Sequence, residues 1–232
     1  MLIVVPYWGN DPKYAKLLTE WVTQYEASGS PHDYVIATDT KTNLGSGDFP
    51  YQRFDVSDYY MDSSYAFDRK GAIVCEAIKL FCKEDLLVLD ADALVQFDPA
   101  SLLPDCPEYT TLCMGEDLGA KGKCLRLKDH SYSIVHKRNA GVMYFPSKAP
   151  VCPSIRSSFL VISYIDAFRE MLSGKYSEAR ELYEQHAWSI VAHKLAAPYL
   201  PNELNWPDHL RGYGPNPKAA IYHRIGKRKW NL

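Results

Sequence analysis

LLVLDADALVQFDP, Leu86 to Pro99, is the stretch on which the fold turns. Five of its first six side chains are apolar, the composition of a strand made for a core. It also carries two carboxylates, Asp90 and Asp92, two positions apart. On a strand, residues i and i+2 point to the same face, so two negative charges lie side by side. Like charges in a partly buried place are costly without a cation between them. The stretch therefore asks for a cation.

Upstream of it, LIVVPY is a short run rich in β-branched residues, followed by the turn-forming GNDP. Tyr14, Leu17, Leu18, Trp21, Val22 and Tyr25 then recur at helical spacing, ending near SGSP. DYVIATD reads as a second buried strand that stops on an acid. After a polar stretch, a second amphipathic helix carries Phe67, Gly71, Val74, Ile78 and Phe81 on one stripe, and DLLVLDAD is the third strand. Strand, helix, strand, helix, strand predicts a mostly parallel α/β sheet flanked by helices.

Downstream, EYTTLCMG and AGVMYF read as strands, separated by a polar, basic stretch from Glu116 to Arg138. Two helices are expected over 158–173 and 176–195, the second aligning Leu182, Tyr183, His186, Ile190 and Leu195. From Pro198 the chain reads as mostly irregular. No internal repeat or low-complexity linker divides it, so the expectation for 1–232 is a single domain.

A chain of 232 residues can bury a substantial core. Seventeen tyrosines and five tryptophans offer flat apolar faces with a polar handle, a chemistry that suits sugars and bases as well as an ordinary core. A net charge of −2 gives no general reason to expect nucleic acid or an anionic membrane as partner, the one local exception being the basic HRIGKRKW. No segment approaches the ~18–20 apolar residues of a membrane span. The first residues, MLIVVPYWGNDPK, lack the basic region of a signal peptide. Six cysteines without a CxxC pair argue against a disulfide framework or zinc cluster. The expectation is a reduced, cytoplasmic, soluble enzyme or binding protein.

Parallel sheets of this kind bind ligands at the carboxyl ends of their strands, where Tyr7, Asp39 and the Asp90/Asp92 pair all fall. With 17 Asp in the chain, chance alone yields about one D-x-D triplet, so position carries more weight than the motif. Carboxylate oxygens favour hard divalent cations such as Mg²⁺ or Mn²⁺, which keep open positions for phosphate oxygens. A second segment, YHRIGKRKW, adds His223, a metal ligand through a neutral ring nitrogen. Gly226 allows close backbone approach, Lys229 supplies a point charge for phosphate, and Trp230 closes the set.

A hydrophobic strand ending in D-x-D, with a late H-x-x-G-x-x-K-(P)-W, resembles the family-8 glycosyltransferases of GT-A fold, which include glycogenin and bacterial lipopolysaccharide galactosyltransferases. The chain has His223, Gly226, Lys229 and Trp230 in order but lacks the proline before the tryptophan. RNAGVMYF resembles the family's N-A-G strand, YEQHA its D-Q segment with Glu184 in place of the acid, and LPNELNWP the stretch before the late histidine. The resemblance implies a GT-A, Rossmann-like domain with a nucleotide-binding half, 1–100, and an acceptor-binding half, 101–232, that includes a C-terminal metal- and phosphate-binding segment. Asp90, Asp92 and His223 would hold Mn²⁺ or Mg²⁺ against the diphosphate of a sugar nucleotide, a UDP-sugar first. Tyr7, Asp39, Arg69, Lys70, Asp90, Ala91, Asn139, Gly141, Gly226 and Lys229 would line the donor, with Arg69 preferred over its neighbour Lys70. Gln185, with Glu184 beside it, would face the reacting carbon of a retaining reaction. Trp206, His209 and Tyr213 would meet a glycan acceptor.

Three other readings compete. A haloacid-dehalogenase-like phosphatase would use Asp90 as nucleophile, but places its motif near the N-terminus and needs a further acidic pair. A nucleotidyltransferase would want a Gly- and Arg-rich loop after the first strand, which PYWGNDPKY does not supply. A non-catalytic sugar-nucleotide-binding protein would not need the intact D-x-D and histidine.

Overall fold

Leu2–Tyr7 (β1) is apolar on both faces because both faces are covered. The chain turns at Gly9, whose φ of +86° suits a residue without Cβ, and enters the helix Pro12–Ala27 (α1). Asp11 caps α1 by accepting from Lys13 N–H at 2.9 Å, and Pro12 stands in its first turn, where its missing donor costs nothing. Two parallel strands follow, Asp33–Asp39 (β2) and Tyr51–Phe54 (β3), then the helix Ala66–Leu80 (α2) and the strand Leu86–Leu89 (β4). Ala93–Val95 (β5) comes next, then Cys113–Glu116 (β6), Cys124–Leu127 (β7), Ile134–His136 (β8) and Arg138–Phe145 (β9). The chain continues through Pro153–Leu172 (α3), Tyr176–Ser177 (β10), Tyr183–Lys194 (α4), Trp206–Asp208 (β11) and Ile221–Arg224 (β12). The structure is a computed structural model, described for residues 1–45, 47–57, 66–107, 109–117, 124–127, 134–148, 152–177, 183–208 and 214–224.

The central sheet has the order β3-β2-β1-β4-β9-β6. Its first four strands are parallel, while β9 runs antiparallel to both β4 and β6. Alternate residues feed two cores. Val4, Leu86, Val88, Met143 and Phe145 pack with α2, α3 and α4, whereas Ile3, Val5, Leu87, Leu89 and Val142 pack with α1 and β5. Trp21 of α1 fastens the second layer by donating its indole N–H to Ala93 O at 2.9 Å. Gly71 lets α2 approach α3, since a Cβ there would stand 1.7 Å from the Tyr164 hydroxyl. A small sheet, β11-β12-β5, lies beyond the carboxyl end of β4, and a second, β10-β7-β8, pairs the remaining strands.

The α/β class, the alternation through β4 and the mostly parallel sheet agree with the sequence reading. Several boundaries differ. The two late helices run Pro153–Leu172 and Tyr183–Lys194 rather than 158–173 and 176–195. Pro153 is favoured in a first turn and so starts α3 earlier than the apolar period suggests. The polar stretch 116–138 contains β7 and β8, and the tail read as irregular contains β11 and β12. Strands of three or four residues are too short to display a period, and β3 escaped for the same reason.

Candidate metal and donor site

β4 stops at Leu89, and the two acids lie in the turn that follows, not on a continuing strand. Ala93 N–H donates to Asp90 O at 2.8 Å and closes the turn; Asp90 N–H donates to Gly141 O at 2.8 Å and holds it against β9. The chain then re-extends as β5, which pairs antiparallel with β12 in a register that sets His223 opposite Ala93. Arg224 N–H donates to Asp92 O at 2.9 Å, so the backbone itself brings the late histidine to the acids. His223 Nε2 lies 3.3 Å from Asp92 Oδ1, and one ligand atom from each of Asp90, Asp92 and His223 lies within 4.8 Å of the others. Gly141 makes this possible: a Cβ there would fall 2.1 Å from His223 Cε1 and 2.8 Å from Nε2. Two carboxylates and an imidazole suit a divalent ion such as Mn²⁺. Burial disfavours the charged His223 ring, but the Asp92 carboxylate outweighs it and raises its pKa.

A protein cation also answers the charge problem. Lys70 of α2 is buried, with Nζ 2.7 Å from Asp90 Oδ1, 3.5 Å from Glu184 Oε2 and 3.0 Å from Ala140 O. Burial opposes its charge, yet the two carboxylates raise its pKa and keep it an ammonium. Glu184, at the start of α4, is likewise buried. Burial pushes its carboxyl up to about 7, against the pull of Lys70 and with the help of Asp90. Among the described residues, Glu184 Oε1 has no hydrogen-bond partner. Gln185 donates from Nε2 to Asp117 Oδ2 at 2.9 Å, across to the end of β6.

The loops after β1 and β2 are stitched together beside these groups. Asp39 Oδ1 accepts from Lys41 N–H at 2.8 Å and Thr42 N–H at 2.7 Å. Gly9 N–H donates to Thr42 Oγ1 and Asn43 N–H to Asn10 Oδ1. Arg53 Nη1 donates to the carbonyls of Asp39 and Thr42. The Tyr7 hydroxyl and Thr38 Oγ1, on register-paired residues, are buried with no hydrogen-bond partner among the described residues.

Solved structures share this architecture, among them three glycosyltransferases. The bifunctional glycosyltransferase WbbM matches with a TM-score of 0.66 at 14% identity, covering 98% of this chain and 46% of its own. The galactosyltransferase LgtC, in complex with donor and acceptor sugar analogues, matches with 0.58 at 16%, over 98% and 88%. GlyE of Streptococcus pneumoniae TIGR4 matches with 0.60 at 13%, over 98% and 56%. The fold is that of the GT-A glycosyltransferases. The chain spans about half the length of WbbM and GlyE and most of LgtC. No protein-family model matches the chain, and no curated protein matches it by sequence.

Within this GT-A fold the residues singled out from sequence divide clearly. Asp90, Asp92, His223, Lys70 and Glu184 come together at the carboxyl end of β4. Arg69, preferred over Lys70 in the sequence reading, instead faces Asp39, with Nη1 3.9 Å from Oδ2. Helix geometry explains the swap: neighbours on a helix diverge by about 100°, so only one can enter the site. Asn139 Oδ1 accepts the Gly141 N–H at 2.6 Å, and Gly141 gives its space to His223. Ala91 forms the middle of the acidic turn, partly buried against the α1-side core. Trp206 donates its indole N–H to Gly214 O at 2.9 Å. His209, Tyr213, Gly226, Lys229 and Trp230 lie outside the described residues. The sequence reading missed Thr38, Arg53, Asp117 and Asn205, which touches His223 Nδ1 at 3.0 Å. None stands in a recognisable motif, and only the fold assembles them.

Proposed function

We propose that this chain is a metal-dependent glycosyltransferase that moves a sugar from a nucleotide-diphosphate donor, a UDP-sugar, to a hydroxyl of a glycan, with retention of configuration. The observation that carries the reading is the convergence of Asp90, Asp92 and His223 beyond a central strand of a GT-A fold. These three residues would hold Mn²⁺ in preference to Mg²⁺, since an imidazole is a softer ligand than the all-oxygen set Mg²⁺ prefers. The bound ion would neutralise the negative charge of the leaving diphosphate.

The chain's own residues supply the rest. Lys70 fixes Asp90 through an ion pair at Oδ1. The buried Tyr7 hydroxyl and Thr38 Oγ1 would be satisfied by a nucleoside seated over the ends of β1 and β2, and Arg69 would hold the Asp39 side of that pocket. Glu184, across Lys70 from Asp90, would stabilise or attack the far face of the cationic sugar centre, and Gln185 would orient beside it. Residues 1–100 would then bind the nucleotide, with Trp206 and its loop on the acceptor side.

A screen of sugar nucleotides, reading hydrolysis with and without Mn²⁺, tests the proposal. Hydrolysis of one donor that needs Mn²⁺ and is lost in Asp92→Ala and His223→Ala is the expected result. Hydrolysis unaffected by chelation, or full activity in either variant, would overturn the metal assignment. Release of phosphate from simple phosphomonoesters, with no action on any sugar nucleotide, would favour the phosphatase chemistry of Asp90 instead.

A further inference from the structure

Asn205 follows the short helical turn Asn202–Leu204 and precedes β11, between Leu204 and Trp206. Its side chain is buried and bridges two elements of the site. Its Nδ2 donates to Glu116 O, at the end of β6, at 3.4 Å. Its Oδ1 lies 3.0 Å from His223 Nδ1. A carbonyl oxygen accepts only, so a hydrogen bond at that distance requires the proton on Nδ1. The amide cannot reverse its ends without setting its oxygen against the Glu116 carbonyl.

Two glycines frame this pair. A Cβ on Gly115 would stand 2.7 Å from Asn205 Nδ2, and one on Gly141 would stand 2.1 Å from His223 Cε1. Gly115 sits at an irregularity of the β6–β9 ladder, where the register shifts between Met114 and Gly115. Adjacent strands thus leave a slot one side chain deep, filled by an amide and an imidazole in contact.

We propose that Asn205 is a positioning residue that holds His223 in the Nδ1–H tautomer, so that the lone pair of Nε2 is presented beside Asp92 to a divalent cation. A ring nitrogen can ligate only when it carries no proton, and a ligating histidine commonly gives its other N–H to a fixed acceptor. Asn205 is that acceptor. Without it the ring would place its proton on Nε2, where the Asp92 carboxylate at 3.3 Å accepts it, and the same nitrogen would be blocked to metal.

The inference rests on the metal-site reading above, and two measurements keep the two separable. Nitrogen chemical shifts of isotope-labelled histidine in the metal-free protein, at a pH where the His223 ring is neutral, should show Nδ1 protonated and Nε2 bare; a protonated Nε2 overturns the inference whatever the protein does with metal. Binding of Mn²⁺ alone, by calorimetry, should weaken about 10- to 100-fold in Asn205→Ala, with the ring switching to Nε2–H. Asn205→Asp keeps the acceptor oxygen and should retain the Nδ1–H ring and most of the Mn²⁺ affinity. Equal loss in both variants with the wild-type tautomer unchanged would make Asn205 a packing residue only and overturn the inference. If the wild-type chain binds no Mn²⁺, the metal reading fails, while the tautomer measurement still decides for or against Asn205.

Discussion

Lys70 Nζ stands 2.7 Å from one carboxylate and 3.5 Å from another, while its neighbour on α2, Arg69, faces Asp39. Replacing Lys70 with methionine leaves Asp90 and Glu184 without the cation that lies between them. Breaking a buried ion pair from one side costs about 3–5 kcal/mol, so Lys70→Met should lower the unfolding free energy by about that amount in a urea titration. Glu184 has the opposite pH sign from most carboxylates. Its native value of about 7 exceeds the ordinary 4.5, so between those limits the native chain keeps a proton that the unfolded chain has released. Stability therefore falls as pH rises through that window. Glu184→Gln abolishes the titration, and its stability relative to wild type should climb between about pH 5 and about pH 7.5; a flat difference would mean Glu184 ionises normally. The sequence named Asp90, Asp92 and His223 from their types and order, and Glu184 through the family resemblance, but chose Arg69 before Lys70. Which of two adjacent basic residues enters a core depends on helix phase, and a boundary error of one residue turns that phase by about 100°.

Two glycines show how elements are fitted to one another. Gly141→Ala would drive a methyl into the His223 ring on β12. It should abolish Mn²⁺ binding and cost about 1–3 kcal/mol of stability, the usual cost of overpacking. Gly71→Ala gains about 1 kcal/mol of helix propensity on α2. The new Cβ would nevertheless meet the hydroxyl of Tyr164, which is buried on α3 and tilted 4.6 Å, centroid to centroid, from Trp188. The clash should win, lowering thermal stability while Mn²⁺ binding stays close to wild type; a stabilised variant would show that α3 can yield. Elements with an apolar stripe or an unbroken apolar run were readable from sequence: α1, β1, β2 and β4 were all recognised. β5 and β12, which join the two halves of the site, are three and four residues long. Their pairing is set by backbone hydrogen bonds between segments some 130 residues apart, and no local pattern encodes that.

Taken whole, the molecule is a central sheet between two apolar layers, with its polar chemistry gathered where the parallel strands end. Continuous apolar runs such as LIVVPY and LLVL require cover on both faces, and that requirement is what made the α/β class visible. The antiparallel direction of β9 was not visible. Its direction follows from the route of the intervening chain, although RNAGVMYF itself reads as a strand. No helix among the described residues is long and apolar enough to cross a membrane. The central claim joins metal to donor: Asp90, Asp92 and His223 form one site that a sugar nucleotide enters with the ion. Calorimetric binding of a UDP-sugar with Mn²⁺ present and after chelation tests that most directly. The account predicts binding that requires Mn²⁺ and disappears in Asp92→Ala; equal binding with and without the ion, or none to any nucleotide sugar, would contradict it.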